Sequence, residues 1–423
     1  MNGRVRVGMR SGWGHRGLGR PESWCIQKLV RLLVALSISV CAFGEHQSTD
    51  TSPAPIWNAD LIPNIRSNPI EHYWEDREQA GITFLDDERL IVHHVDLDNR
   101  QLSSRLSPDI SSPFRLRAEI LDASDGTLLL TREWATRAVG SAILLHRGGV
   151  MVRTGDTLRL LTRDFDEVRK LPLPQTPPRN ERLEMQEWEI HVSVSQQSVL
   201  FNNYHVNYAQ KLDVSQYSVL DSGSLSLKDA WNDEPSLHHR PYSVSDRAIA
   251  YVKSVHNRDR VFISEFGSGR WRTLWQRPGQ SCFAPSVFAL IQEDSFIYVC
   301  REFSFVSGGQ VLMREPFDKS EQPVNAKLSV AKGGRFVAIS LHRVRLGESL
   351  SSDRLSKLCV VVYDLLRKKR LYTTVISPLP KCFFDFALSP DGTRLAILND
   401  QNVSVYQVPQ TSSETAQADA VAP

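Results

Sequence analysis

The sequence predicts an all-β chain built by repetition, and three observations carry that prediction. Apolar residues alternate with polar ones in short runs closed by Asp-Gly, Gly-Gly or Asn-rich turns, which is the pattern of antiparallel strands. No stretch of the body sustains an apolar period of three to four residues, so almost no helix is expected. One local unit, a polar turn followed by three or four apolar residues, recurs seven times.

In chain order, Ile56–Ile70 carries scattered apolar residues, with Trp57 and Leu61 able to form one short strand. The first repeat starts near Gly81: Ile82-Thr83-Phe84-Leu85, a turn at Asp86-Asp87-Glu88, then Leu90-Ile91-Val92. Its outer pair is Phe114–Leu121, a turn at Ser124-Asp125-Gly126, and Leu128–Leu130. The same inner hairpin returns before Val150-Met151-Val152, Val199-Leu200-Phe201, Ala248-Ile249-Ala250, Phe296-Ile297-Tyr298 and Phe336-Val337-Ala338. The last copy is Phe384–Leu388, the turn Pro390-Asp391-Gly392, and Leu395–Leu398. The units are about forty to sixty residues apart, the lower end being the length of a four-stranded unit. Gly126, Gly223 and Gly267 are each followed eight residues later by a tryptophan, Trp134, Trp231 and Trp275. A turn glycine at a fixed offset from a large aromatic predicts packing of these rings between repeats, the alternative being a sugar-stacking set.

Ser389–Ala396 reads SPDGTRLA. It resembles the S-P-D-G-x-x-[LI]-A core of the WD40-like and TolB-like β-propeller repeat. The resemblance implies a β-propeller, most simply of seven four-stranded blades over residues 56–410. It implies no activity, because propellers host unrelated functions. Val360–Asp364 and Val403–Gln407 stand where WD40 blades place their Trp-Asp pair. The last repeat stops after its third strand, so a strand from residues 56–62 is expected to complete it and remove an exposed sheet edge. Residues 343–355 read as an exposed loop, and 411–423 as a disordered tail with too little apolar content to pack.

Lys28 and Arg31 precede the apolar run Leu32–Phe43. This is the plan of a secretory signal peptide, cleaved before Glu45 and followed by a polar linker at 45–55. The run is short of the ~20 residues that span a bilayer. The expected location is therefore periplasmic or extracellular, with a membrane-tethered form, its leader uncleaved, as the alternative. The chain has a sequence pI of 8.2. Residues 1–44 carry seven Arg/Lys and one Glu, which leaves 43 basic and 47 acidic groups in the body, a formal −4. That balance argues against nucleic acid and against stable membrane insertion once the leader is removed, and no basic patch stands out.

Cys282, Cys300, Cys359 and Cys382 follow the leader and can pair in three ways; the alternative is buried thiols, since all four adjoin apolar runs. None is spaced C-x-x-C, so a zinc or thioredoxin-like site is not indicated. The pairs His93-His94 and His238-His239 point to opposite faces of a strand and do not converge on one ion. The stretches 96–107 and 164–175 lack the glycine and bidentate glutamate of a calcium loop. No G-x-S-x-G and no Gly-rich phosphate loop occurs in the body. No metal, cofactor or catalytic residue is therefore assigned. The candidate ligand-binding residues lie on expected innermost strands around a channel mouth: Glu187, Trp188 and His191 in the third unit, His239, Arg240 and Tyr242 in the fourth, and Asp385 in the seventh. Polar residues at such a mouth also occur simply because it is wet.

The sequence leads to an exported, non-catalytic scaffold for a protein, peptide or glycan. The alternative is a propeller-type enzyme, a lactonase or metal-assisted hydrolase. It would need three or more His, Asp or Glu side chains converging at the channel mouth.

Overall fold

Strands form where the alternation is densest, and short polar turns end them. Asp391 shows how: its carboxylate accepts from the Ser389 hydroxyl (2.6 Å) and the Thr393 amide (2.9 Å), closing the SPDG turn on itself. A computed structural model describes residues 53–60, 80–96, 114–136, 142–154, 157–172, 184–207, 212–224, 226–233, 242–277, 282, 287–317, 321–322, 327–344, 355–380 and 383–410. The predicted leader, the tail, His239, Arg240 and Cys382 lie outside these residues, and so does most of the expected 343–355 loop.

After β1 (Trp57–Asp60), the chain lays down one sheet after another. Blade 1 is β2 (Ala80–Phe84), β3 (Arg89–Asp96), β4 (Phe114–Asp122) and β5 (Leu128–Thr136). Blade 2 is β6 (Ala142–His146), β7 (Gly149–Thr154), β8 (Thr157–Thr162) and β9 (Glu167–Pro172). Blade 3 is β10 (Glu184–Val192), β11 (Ser198–Asn207), β12 (Leu212–Asp221) and β13 (Leu227–Asp233). Blade 4 is β14 (Tyr242–Val244), β15 (Ala248–Val255), β16 (Arg258–Glu265) and β17 (Arg272–Gln276). Blade 5 is β18 (Val287–Gln292), β19 (Ser295–Val299), β20 (Glu302–Ser307) and β21 (Gln310–Pro316).

Blade 6 has its innermost strand in two pieces, β22 (Glu321–Gln322) and β23 (Leu328–Val330), both paired with β24 (Phe336–Val344). β25 (Leu355–Asp364) and β26 (Lys369–Val375) complete it. Blade 7 is β27 (Phe384–Leu388), β28 (Arg394–Asn399), β29 (Asn402–Gln407) and, outermost, β1. The protein is a seven-bladed β-propeller, all-β throughout the described residues.

Alternate residues of the central strands pack between neighbouring blades. Leu116, Ala118 and Ile120 of β4 meet Val150 and Val152 of β7; Val361 and Tyr363 of β25 meet Ile297 and Val299 of β19. Trp134 packs near Phe165 of the next blade, and buried Trp275 sits against Phe296 and Tyr298, so two of the repeated tryptophans pack between blades. The outermost strands of blades 1–6 each slip register by one residue near their start, at Leu129 in blade 1 and Val168 in blade 2, for instance. Such a bulge twists an exposed edge away from pairing with another chain.

Closure follows the expected route. β1 runs antiparallel to β29, with Trp57 opposite Val405 and Asp60 opposite Asn402. The Trp57 indole N–H donates to the Ala123 carbonyl of blade 1 (3.0 Å). Its ring lies so close over Gly126, at φ +79°, that a Cβ there would fall 2.8 Å from it.

Cys282 and Cys300 form a disulfide across a Cα–Cα distance of 6.3 Å, one of the pairings the sequence left open. Beside it, fully buried Asp259 accepts from the Cys282 amide (2.8 Å) and the Tyr298 hydroxyl (2.5 Å). Burial, with Asp259 adjacent, pushes the Tyr298 hydroxyl far above its ordinary range. Cys359 is buried, its Sγ donating to the Leu341 carbonyl (3.6 Å).

Candidate functional site

The innermost strands surround a central cavity of about 490 Å³. Their neighbours in the ring are joined by side chains that accept from the next blade's backbone. Ser243 of β14 takes the Leu290 N–H (2.9 Å), and Ser329 of β23 takes the Leu388 N–H (2.9 Å). Asp385 of β27 takes the Ile82 N–H of blade 1 (2.9 Å). The blade-to-blade geometry around the axis is thus set by polar contacts as well as by apolar packing.

Asp385 is the most heavily engaged of these groups. It also accepts from the Phe386 N–H (2.8 Å) and pairs with the Lys327 ammonium of blade 6. One buried carboxylate thereby joins blades 6, 7 and 1. His93 of β3 packs over Gly81, where a Cβ would stand 2.5 Å from the imidazole and 3.2 Å from Asp385 Oδ2. Glycine at 81 is therefore what lets the ring and the carboxylate share this corner. Burial first, then the Lys327 and His94 charges, hold the His93 pKa down at about 3, so the imidazole is neutral. Its Nδ1 is buried and has no hydrogen-bond partner among the described residues. Thr83, Ser193, Gln196, Lys327 and Lys332 add polar groups to the cavity wall.

The predicted site residues distribute unevenly over this geometry. Asp385 and Tyr242 lie at or next to the start of their innermost strands, as expected. Tyr242 is paired in register with Tyr251. Glu187 and Trp188 are on innermost β10 but in its middle, opposite Tyr204 and Asn203, rather than at its start. His191 is half-buried near the end of β10, and the cavity is lined by its neighbours Val192 and Ser193. Lys327 and His93 were not singled out for this corner. The only signal for them was their position, one just before β23 and the other opposite Gly81 in the β2–β3 register. Among the described residues no three His, Cys, Asp or Glu side chains meet in a group that could hold a metal ion.

Several solved structures are similar to this chain. A chain in the crystal structure of a mitotic checkpoint complex is 11% identical, with a TM-score of 0.42 over 84% of this chain and 95% of that one. The Dos1 propeller is 8% identical, with a TM-score of 0.43 over 84% and 95%. The WD40 domain of Toxoplasma gondii coronin is 9% identical, with a TM-score of 0.45 over 85% and 89%. No family model matches the chain, and no curated protein matches it in sequence. The propeller assignment itself rests on the seven sheets and their strand order.

A second cavity, of about 640 Å³, lies along blade 7 beside Ile376–Leu379. Much of its polar wall is bonded to itself. The Asn402 amide donates to Asp60 (3.1 Å), Ser404 donates to Asn402 (3.0 Å), and the Asn399 amide donates to the Pro378 carbonyl (2.8 Å).

Proposed function

We propose that this protein is a non-catalytic, exported scaffold that presents a rigid propeller face to a protein or peptide partner. The observation that carries this reading is Asp385. The acidic side chain at the central cavity is engaged by three blades at once, which fits a role in setting the ring's geometry rather than in activating water or substrate. A glycan remains within the same ligand class, since the cavity wall supplies hydroxyl, amide and ammonium groups. The Cys282–Cys300 disulfide supports export, because such bonds persist in oxidising compartments.

The test pairs binding with turnover. A ligand that binds only the native state raises stability by ~2.7 kcal/mol at a hundred times Kd, so thermal unfolding with peptide and glycan panels reports it. The expected outcome is a shift with a peptide and no hydrolysis of lactone or ester substrates. Hydrolysis by the wild type that disappears in a folded Asp385→Asn variant would replace the scaffold with the propeller-type enzyme.

A further inference from the structure

The large apolar side chains that the described residues leave exposed follow the ring rather than scattering over it. Ile56, Leu128, Leu129, Val168, Leu227, Trp271, Val311 and Leu366 give every blade at least one. In blades 1–6 they stand on the hairpin between the third and fourth strands, and Ile56 precedes β1, the fourth strand of blade 7. Strands alternate in direction, so all these positions are on the same face of the disc, at its perimeter.

Charge divides this rim in two. The outer hairpins of blades 1–3 (residues 121–131, 161–170 and 220–228) carry four basic and six acidic residues. Those of blades 4–6 (264–273, 306–312 and 364–370) carry six basic and two acidic. One of the two, Asp364, is fully buried and held by Arg335 (2.7 Å) and by the amides of Leu366 and Arg367. The basic residues flank the apolar tips directly, as Arg270-Trp271-Arg272 and Leu366-Arg367-Lys368-Lys369-Arg370. Trp271 is 38%, Val311 39% and Leu366 73% exposed. The sector is continuous: Gly309 of blade 5 approaches the Leu274 carbonyl of blade 4, and Arg370 of blade 6 pairs with Glu315 of blade 5. Asp246, Glu293 and Asp294 share this face, but on the inner turns nearer the axis.

We propose that the outer hairpins of blades 4–6 dock on an anionic lipid bilayer. Protein interfaces gather their apolar area into one buried centre. Here the apolar tips are spread over successive blades of the rim, those of blades 4 and 6 set among cations, with Trp271 packed edge-on against Tyr251 and still partly exposed. A tryptophan at headgroup depth, a leucine tip below it and Lys/Arg near lipid phosphates match an interfacial contact. The body's net negative charge does not oppose this, because screening confines the interaction to groups near the surface.

Co-sedimentation of the purified protein with phosphatidylcholine vesicles, with and without phosphatidylglycerol, tests it. Binding is expected only to the anionic vesicles and should weaken with salt. Each basic residue near the surface contributes about five-fold to partitioning, so Lys368→Glu with Lys369→Glu should lower it by at least ~25-fold. Trp271→Glu and Leu366→Asp should also weaken it, whereas Leu128→Asp in blade 1 should leave it unchanged, each variant compared at a temperature where it is fully folded. No binding to anionic vesicles would overturn the proposal. So would binding indifferent to the blade 4–6 variants, which would place the contact elsewhere in the chain. Retention on an acidic protein without vesicle binding would assign the sector to a protein partner instead.

Discussion

Blade 7 differs from blades 1–6 in how its outermost strand is supplied. In the first six, four strands follow one another along the chain, and the edge strand is bulged. In blade 7 the edge comes from the other end of the sequence, and its pairing with β29 shows no register shift. The seam beside it is correspondingly rich in side-chain bonds between distant residues: Asp385 to Ile82, the Asp391 amide to Asp87 (2.9 Å) and Arg394 to the Asp87 carbonyl (3.0 Å). Adjacent blades elsewhere are tethered by a short connection whether or not such contacts form. The chain links blade 7 to blade 1 only through β1, which leads on to β2, so this tether holds only while β1 stays paired with β29 and closure depends on contacts. Closing a loop of some three hundred residues costs conformational entropy that these contacts offset.

Loss of Trp57 should break this comparison most severely. Trp57→Ala removes the indole packed on blade 1 and its bond to Ala123, and should cost about 3 kcal/mol in urea unfolding. Trp271→Ala, on the rim of blade 4, should cost well under half of that. Equal losses would show that the seam is no more dependent on side chains than an ordinary blade.

Asp385→Ala strands the Ile82 and Phe386 amides and unpairs Lys327, for an expected cost of about 2 kcal/mol. Asp385→Asn keeps an acceptor and should cost about half as much. If both variants melt like wild type, the carboxylate does not hold the seam.

Acid should weaken the seam through His93. Its folded pKa of about 3 lies below the unfolded 6.5, so between these values the unfolded chain takes up a proton that the native one refuses. The stability is complete above pH 6.5 and falls by up to ~1.4 kcal/mol per pH unit below it. Urea midpoints at pH 7.5 and 5 should therefore diverge less in His93→Gln than in wild type. His146 of blade 2 is a useful contrast. Burial lowers its pKa too, yet both ring nitrogens are placed, Nδ1 accepting from Gly148 (3.2 Å) and Nε2 donating to the Leu161 carbonyl (3.1 Å). A pH slope unaffected by the His93 substitution would mean that this imidazole titrates freely in the native state.

The smallest effect comes from paired glycine substitutions. Gly126→Ala meets the Trp57 ring and a positive φ together, while Gly267→Ala meets a positive φ with nothing within 4 Å. Both carry backbone strain of about 1 kcal/mol, and the first should cost more. Identical midpoints would remove Trp57 from its place over blade 1.

These contrasts also explain what the sequence could reveal. Repetition made the blades legible, because each hairpin needs the same turn chemistry and the same apolar alternation. The missing fourth strand of the last repeat pointed to closure from residues 56–62, and Trp57–Asp60 supplies it. The site was less legible. Asp385 was found from its place at the start of an innermost strand, but its partners Lys327, Ile82 and His93 come from other blades, and no local pattern announces such contacts. The basic rim escaped for the same reason: its two cationic runs are separated by about a hundred residues and join only when blades 4–6 stand side by side. The one disulfide pairing described could not be chosen from spacing either, since it depends on the β18–β19 hairpin bringing Cys300 back beside Cys282.

Amide hydrogen exchange on β29 tests the closure account most directly. In the wild type, Val403–Gln407 should be protected as strongly as the third strands of other blades. In Trp57→Ala, protection should fall first in β29 and in β2 across the seam, with blades 3–5 unchanged. Protection of β29 that persists when β1 is released would contradict the account, since blade 7 would then be complete without the N-terminal strand.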